Sequence, residues 1–315
     1  MRKSQFIFAL MLGCSLAAMA KADTSKDNCE RVAGEGNCYA IPNNPAWPTE
    51  GYSDTTYYAL SGDAGNQTMT VYGPTSTEKN EDGSLKYTSS IPDMAFYDLQ
   101  SRESTVPGGV TSLKTSGNVN IGDYAFMYAM GLTSVDLTGV QEIGGAAFAA
   151  ATGLTSVDLT GVKRIEAQAF AFATGLTSAN LTGVQTISDL IFQNATNLTS
   201  IVISDSLLDS SGNILGGAVR DGVYTGIKST VFEGSGLNTI YCPEGNACGN
   251  SFTGLSKTPK VIPYSIENGQ IKAGGKTYAS LDDLASGNHI VKRIYTIDEA
   301  NAVAGEVNTI RIRYR

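Results

Sequence analysis

One histidine, five cysteines and thirty carboxylates are what this 315-residue chain offers to chemistry. A serine or cysteine hydrolase needs an imidazole held between its nucleophile and an orienting acid. The one imidazole, His289, lies near the C-terminus between Asn288 and Ile290 and reads as a surface residue. The stretches "GSGLNT" and "AGGKTY" have the residue types of a phosphate loop. Neither has the spacing that brings several backbone amides and a lysine onto one phosphate. Asp209 in "DSSGN" does not begin the alternating oxygen ligands of a calcium loop. A carboxylate pair for glycoside cleavage is defined by spatial separation, so sequence leaves that point open. The expectation is a non-enzymatic chain that needs no cofactor and no metal.

The cysteines point to structure. Cys29 with Cys38 and Cys242 with Cys248 are two close pairs, each bracketed by Gly and Asn. Two local disulfides are the simplest reading, at roughly 2–3 kcal/mol each. A four-cysteine zinc site is the rival, but the tight two-residue spacing is missing. The fifth cysteine, Cys14, lies in an N-terminal stretch, "MRKSQFIFALMLGCSLAAMAKAD", with a basic start, a short apolar run and small residues at its end. It reads as a secretory signal over residues 1–22, with cleavage after Ala20 as the near alternative. Reading "MLGC" as a lipoprotein box is the other possibility. No later segment reaches the ~20 apolar residues of a membrane helix. The expected location is therefore extracellular, cell-surface or periplasmic. Residues 1–22 hold Arg2, Lys3 and Lys21 and no acid, so the remainder carries 19 basic and 30 acidic residues, net −11. That balance disfavours nucleic acid and anionic lipid as partners.

The elements that would position a site are announced by a repeat. "GLTSVDLTGVQEIGGAAFAAAT" begins at Gly131, "GLTSVDLTGVKRIEAQAFAFAT" at Gly153 and "GLTSANLTGVQTISDLIFQNAT" at Gly175. Apolar columns return every 22 residues. They include Val110, Leu132, Leu154, Leu176 and Leu198; Leu113, Val135, Val157 and Ile201, with Ala179 in the third copy; Leu137, Leu159, Leu181 and Ile203; Ile121, Ile143, Ile165 and Ile187; and Phe126, Phe148, Phe170 and Phe192. "IPDMAF" before the block and "IKSTVFEGSGLNTIYCP" after it are degenerate rungs, making about six, with insertions at 100–109 and 204–226. "LTSVDLTG" alternates with period two as a strand does, and "IGGAAFAAATG" turns and returns. A single rung cannot bury its apolar face, so stacking must do it.

"LTSVDLTGVQEIGGAAF" and "IGDYAFMYAMGLTSVDL" resemble the BspA-type leucine-rich repeat of bacterial and protist surface proteins. The resemblance covers roughly residues 91–243. It implies a leucine-rich repeat solenoid with a parallel sheet on one face, and a binding or adhesive role more than a reaction. Where that family's pattern runs on from Ala-Phe through two residues to a small residue that is often Cys, this chain has Ala129, Ala151, Ala173 and Ala195.

Around the array (91–257), the sequence predicts an N-terminal segment (23–90), irregular from Asp23 to Gly51 and tied by Cys29 and Cys38. Within it, residues 55–73 read as a hairpin cap over the first rung. Residues 263–315 read as a small α+β tail module. Its capping-box helices open at Ser280 and Thr296 and end at Gly287 and Gly305, before a terminal strand "TIRIRYR".

Strand alternation names the candidate ligand face. If Val135 and Leu137 point inward, then Ser134, Asp136 and Thr138 point out, as do Ser156, Asp158 and Thr160, and Ser178, Asn180 and Thr182. Lys114, Val202 and Tyr241 share the Asp136 register. Two carboxylates on adjacent rungs, about 4.8 Å apart, repel unless Lys114, a cation or a ligand compensates. A face of about 360 Å² falls short of the ~800 Å² that a standard interface uses per partner. One reading is a solvated face kept soluble by small polar residues; on the other, the face binds a glycan or short segment weakly, strengthened by the insertions or by multiple copies. Two functions follow: an exported binding or adhesion protein for a host or neighbouring-cell protein or glycan, or a structural spacer presenting the tail.

Overall fold

The computed structural model describes residues 25–33, 37–41, 56–73, 89–98, 103–207, 219–220, 223–224, 230–245, 255 and 257–288. The signal segment, Cys248, His289, the helix expected at Thr296, the terminal strand and most of the 204–226 insertion lie outside them.

The 22-residue period becomes a solenoid with two strands per rung. The longer of the two series comprises β7 (Val110–Ser116), β9 (Ser134–Asp136), β11 (Ser156–Asp158), β13 (Ser178–Asn180), β15 (Ser200–Val202) and β18 (Thr239–Pro243), numbered among all strands in chain order. The second comprises β4 (Ser89–Ile91), β8 (Val119–Ile121), β10 (Glu142–Ile143), β12 (Arg164–Ile165) and β14 (Thr186–Ile187). All neighbours in this second sheet are parallel, and Ile91, Ile121, Ile143, Ile165 and Ile187 lie side by side across it. Every expected apolar column is buried except at Val135, which is half-buried.

In the core the phenylalanines form one ladder. Phe96, Phe126, Phe148, Phe170, Phe192 and Phe232 stack with centroids 5.1, 5.3, 5.3, 5.7 and 5.6 Å apart. The two degenerate rungs thus supply the end rings of a six-rung stack.

On the turn side the chain adopts a conformation the sequence did not advertise. Two non-glycine residues in each of four successive rungs are left-handed: Tyr124 and Tyr128, Ala146 and Ala150, Gln168 and Phe172, Leu190 and Asn194. Such residues cost on the order of 1 kcal/mol each. What offsets the cost is a ladder from rung to rung. Phe126, Phe148 and Phe170 N–H donate to the carbonyls of Ala147, Ala169 and Ile191, and Tyr128, Ala150 and Phe172 to those of Ala149, Ala171 and Gln193.

At the N-terminus β2 (Tyr57–Asp63) and β3 (Asn66–Tyr72) form an antiparallel hairpin whose second strand lies parallel to β7. The segment expected to be irregular contains helix α1 (Ser25–Ala33). Cys29 of this helix is bonded to Cys38 and packs against Ala59 and Tyr72 of the hairpin. Burial of that one face holds so short and polar a helix; β1 (Tyr39–Ala40) then pairs with β2. Of two small antiparallel pairs, β5 (Tyr97–Asp98) with β6 (Glu103–Ser104) enters the first insertion and β16 (Val219–Arg220) with β17 (Val223–Tyr224) lies in the second.

The tail does not begin where composition shifts. Strand β19 (Lys260–Glu267) pairs in parallel with β18, so the expected boundary at 263 falls inside a strand of the repeat sheet. Antiparallel β20 (Gln270–Ala273) and β21 (Lys276–Tyr278) follow. The Tyr264 hydroxyl donates to the Ile203 carbonyl at 3.0 Å, and burial, then nearby Asp205, pushes its pKa up to about 12. Helix α2 (Leu281–Ser286) opens with the Ser280 hydroxyl accepting from Asp283 N–H at 3.0 Å and closes at left-handed Gly287. It folds back onto the repeat sheet, where Leu284 and Ala285 form a second core with Val202, Tyr241, Tyr264, Ile271 and Tyr278.

Candidate functional site

The expected column exists in register. Lys114 lies beside Asp136, Asp158 beside Asn180, Asn180 beside Val202, and Val202 beside Tyr241. Its two halves meet different surroundings. Lys114, Ser134, Asp136, Thr138, Ser156, Asp158 and Thr160 are open or partly open to solvent. Ser178, Asn180 and Thr182 are buried, Asn180 at 3% exposure, and Val202 and Tyr241 are buried as well. Their expected exposure is corrected by α2, which packs over β13 and β15. The Asn180 side-chain amide donates to Asp282 at 2.9 Å, and the Ser200 hydroxyl donates to the Ala285 carbonyl. Alternation sends these side chains outward, but what lies outside is the tail.

The carboxylates are engaged by their own rungs. Asp136 accepts from Thr138 N–H at 3.1 Å and from its hydroxyl at 2.6 Å, and Lys114 lies 3.6 Å away. Burial opposes ionisation of Asp136, yet the two Thr138 bonds and Lys114 outweigh it and hold its pKa below the usual carboxylate range. Asp158 takes the N–H of Thr160 at 3.0 Å together with its hydroxyl, and Asn180 takes both groups of Thr182. Asp/Asn-Leu-Thr is thus a turn lock written three times. Each acid is thus bonded to donors of its own rung, and Asp136 is also beside Lys114.

The sheet parts between those two acids. Strand β9 ends one hydrogen-bonded sheet and β11 begins another, while β10 and β12 remain paired on the second sheet. At the break lies a crevice of about 400 Å³ lined by Val135, Asp136, Leu137, Thr138, Asp158 and Thr160. Periodicity could not announce it, because both rungs read "LTSVDLTG".

A larger cleft, about 680 Å³, lies on the turn side between inserted residues Ser104 to Gly109 and residues Tyr128 to Leu132. Among the described residues, Tyr124, Met130 and Phe172 are exposed large apolar side chains on this side of the solenoid. The sequence reading passed over them. The available signal was bulk at Tyr128 and Phe172 in a column that has Ala150 between them.

Six copies of the BspA type leucine rich repeat region match residues 89–215. Those residues form a BspA-type leucine-rich repeat region. With the observed geometry this makes the array a leucine-rich repeat solenoid. Two solved structures are similar. A leucine rich repeat protein of T. pallidum is 17% identical, over 64% of this chain and 86% of that one, with a TM-score of 0.32. A leucine-rich repeat protein from Eubacterium ventriosum is 18% identical, over 70% of this chain and 47% of that one, also with a TM-score of 0.32. No curated protein gives a significant match. Among the described residues, the open half of the sheet face and the turn-side cleft each offer a ligand more than flat protein. Among the described residues no helix is long and apolar enough to cross a membrane.

Proposed function

We propose that this chain is an exported recognition or adhesion protein whose repeat region presents the open N-terminal half of its sheet face to a protein or glycan on another cell. The observation that carries the reading is the asymmetry of the face. Asp136 and Asp158 stay solvent-accessible beside Lys114 and four hydroxyl residues, while the tail closes the remainder. Export is supported by the N-terminal signal pattern and by the Cys29–Cys38 disulfide, a bond that persists in oxidising compartments. The open half is smaller than a standard interface, so useful affinity requires many copies at a surface or a second site on the same molecule.

The test is a binding screen of the protein against cell-surface proteins and glycans, run beside an Asp136→Ala, Asp158→Ala double variant. A ligand that binds the wild type and loses the double variant supports the face as its site; equal binding places the site elsewhere. A spacer role is the second reading, favoured by the continuous sheet that joins tail to array. In a spacer the double variant leaves surface display and attachment unchanged.

A further inference from the structure

The turn side of the solenoid carries two aromatic rings in one repeat column. The second left-handed position of each rung runs along the axis as Tyr128, Ala150, Phe172 and Asn194. The core phenylalanine rings of these rungs stack at 5.3 Å per rung, and Tyr128 and Phe172 lie two rungs apart in one column with Ala150 between them. Phe172 is 48% exposed, although an apolar ring gains nothing from water. Tyr128 is half-buried and is held on its other side by the ring of Tyr97, with centroids 5.9 Å apart. Beyond Tyr128 opens the 680 Å³ cleft, walled by Ser104, Val106 and Gly108 on one side and by Met130, 56% exposed, on the other. No lining side chain is charged.

These features select a ligand class. An uncharged wall offers no counter-charge to an ionic group. Side chains on one face of an extended peptide recur every ~6.8 Å, out of step with rings two rungs apart. Sugar rings in an extended β-linked chain alternate their orientation, so every second ring presents the same face, one disaccharide length on. That length matches two rungs. Each ring's C–H face packs on an aromatic surface, and its hydroxyls need partners near the apolar platform. Bare backbone at Gly108 and Gly131 and the hydroxyls of Ser104 and Tyr128, all lining the cleft, are available to them.

We propose that the turn side of the second to fourth rungs binds a neutral, extended β-linked oligosaccharide, with alternate sugars on Tyr128 and Phe172 and the chain end in the cleft beside residues 104–109. The proposal rests on the recognition reading above but assigns a different surface from the sheet face.

The experiment is titration of the full chain with β-1,4-linked glucose and N-acetylglucosamine hexasaccharides, beside an α-1,4-linked glucose hexasaccharide and a polyanionic glycan. The expected result is preference for a β-linked neutral ligand, weakened about tenfold by Phe172→Ala and by Tyr128→Ala. Left-handed Ala146 and Ala150 show that alanine tolerates that backbone. A Cβ at Gly108, which lines the cleft, would meet nothing within 4 Å, so Gly108→Trp is expected to occupy the cleft and block binding. The Asp136→Ala, Asp158→Ala variant is expected to bind normally. No binding of either β-linked probe, or binding unchanged in both ring variants, overturns the proposal. Loss in the double variant alone overturns it while supporting the sheet face.

Discussion

Asn180 in the repeat sheet donates its side-chain amide to Asp282 in the tail helix at 2.9 Å, bridging 102 residues of sequence. The same amide lies 3.4 Å from Asp158 Oδ1. One neutral side chain therefore sits between two carboxylates, and it marks the line where the open half of the face ends. Burial, and then the proximity of Asp158 and Asp283, push the Asp282 pKa up, against the opposing bond from Asn180.

That raised pKa sets a pH dependence for the tail. An acid with a raised folded pKa binds more protons folded than unfolded, so stability falls as pH rises through the interval just above the ordinary carboxylate value of about 4. Docking of α2 is expected to tighten on acidification into that interval. Hydrogen exchange at residues 281–286, corrected for the intrinsic rate, measures it. Asp282→Asn removes the dependence and holds the helix down at neutral pH. Asp136 acts in the opposite direction: its lowered pKa gives stability that is present above the unfolded value and is lost as pH falls through the folded one.

Phe148 stacks on Phe126 and on Phe170 at 5.3 Å each. Phe148→Ala is expected to cost about 3–5 kcal/mol, since the rungs on either side cannot close the void without breaking their own ladder. Denaturant unfolding measures the loss, and exchange protection should fall in the neighbouring rungs together.

Gly161 and Gly183 occupy the same repeat position and should respond differently to alanine. A Cβ at Gly183, φ +155°, would collide with the Thr160 carbonyl, whereas one at Gly161 would lie 3.6 Å from Val140 O. Gly183→Ala is expected to lower the melting temperature well below that of Gly161→Ala. Equal melting points would mean that the two rungs are not packed as described.

Cys29 joins α1 to the strand that precedes the hairpin. Its replacement by serine is expected to cost roughly 2–3 kcal/mol locally. Proteolysis should become faster in α1 and leave the rungs beyond β7 protected, because Cys29 packs with Ala59 and Tyr72 and lies outside the main core. Cys242 is also disulfide-bonded, at the opposite end of the array.

Truncation before Lys260 tests the attachment of the tail. Removal of β19 and α2 uncovers Val202 and Tyr241 and frees the edge of β18. The expected outcome is a less stable, self-associating array, seen as a lower melting temperature and a larger hydrodynamic radius. An unchanged monomer of unchanged stability would mean that the tail packs independently.

The rungs were legible because a solenoid is nearly one-dimensional. Each residue meets its equivalent 22 positions away, so Phe126, Phe148, Phe170 and Phe192 reveal their stack by period alone. The short helix at Ser280 was legible for a similar reason, since its cap and its closing glycine are local. Left-handed Ala146 and Ala150 were not: nothing in an alanine requires that backbone, which is chosen by hydrogen bonds to the next rung.

Contacts without a period were decided by tertiary structure alone. Asp136, Asp158 and Asn180 occupy one repeat position, yet one faces a lysine, one borders a parted sheet and one lies beneath a helix that returns from 102 residues away. Alternation determines which side chains leave the sheet. Whether they meet water or protein depends on where the non-repeating tail lands, and that is set by burial of Leu284, Ala285 and Tyr264 against Val202 and Tyr241.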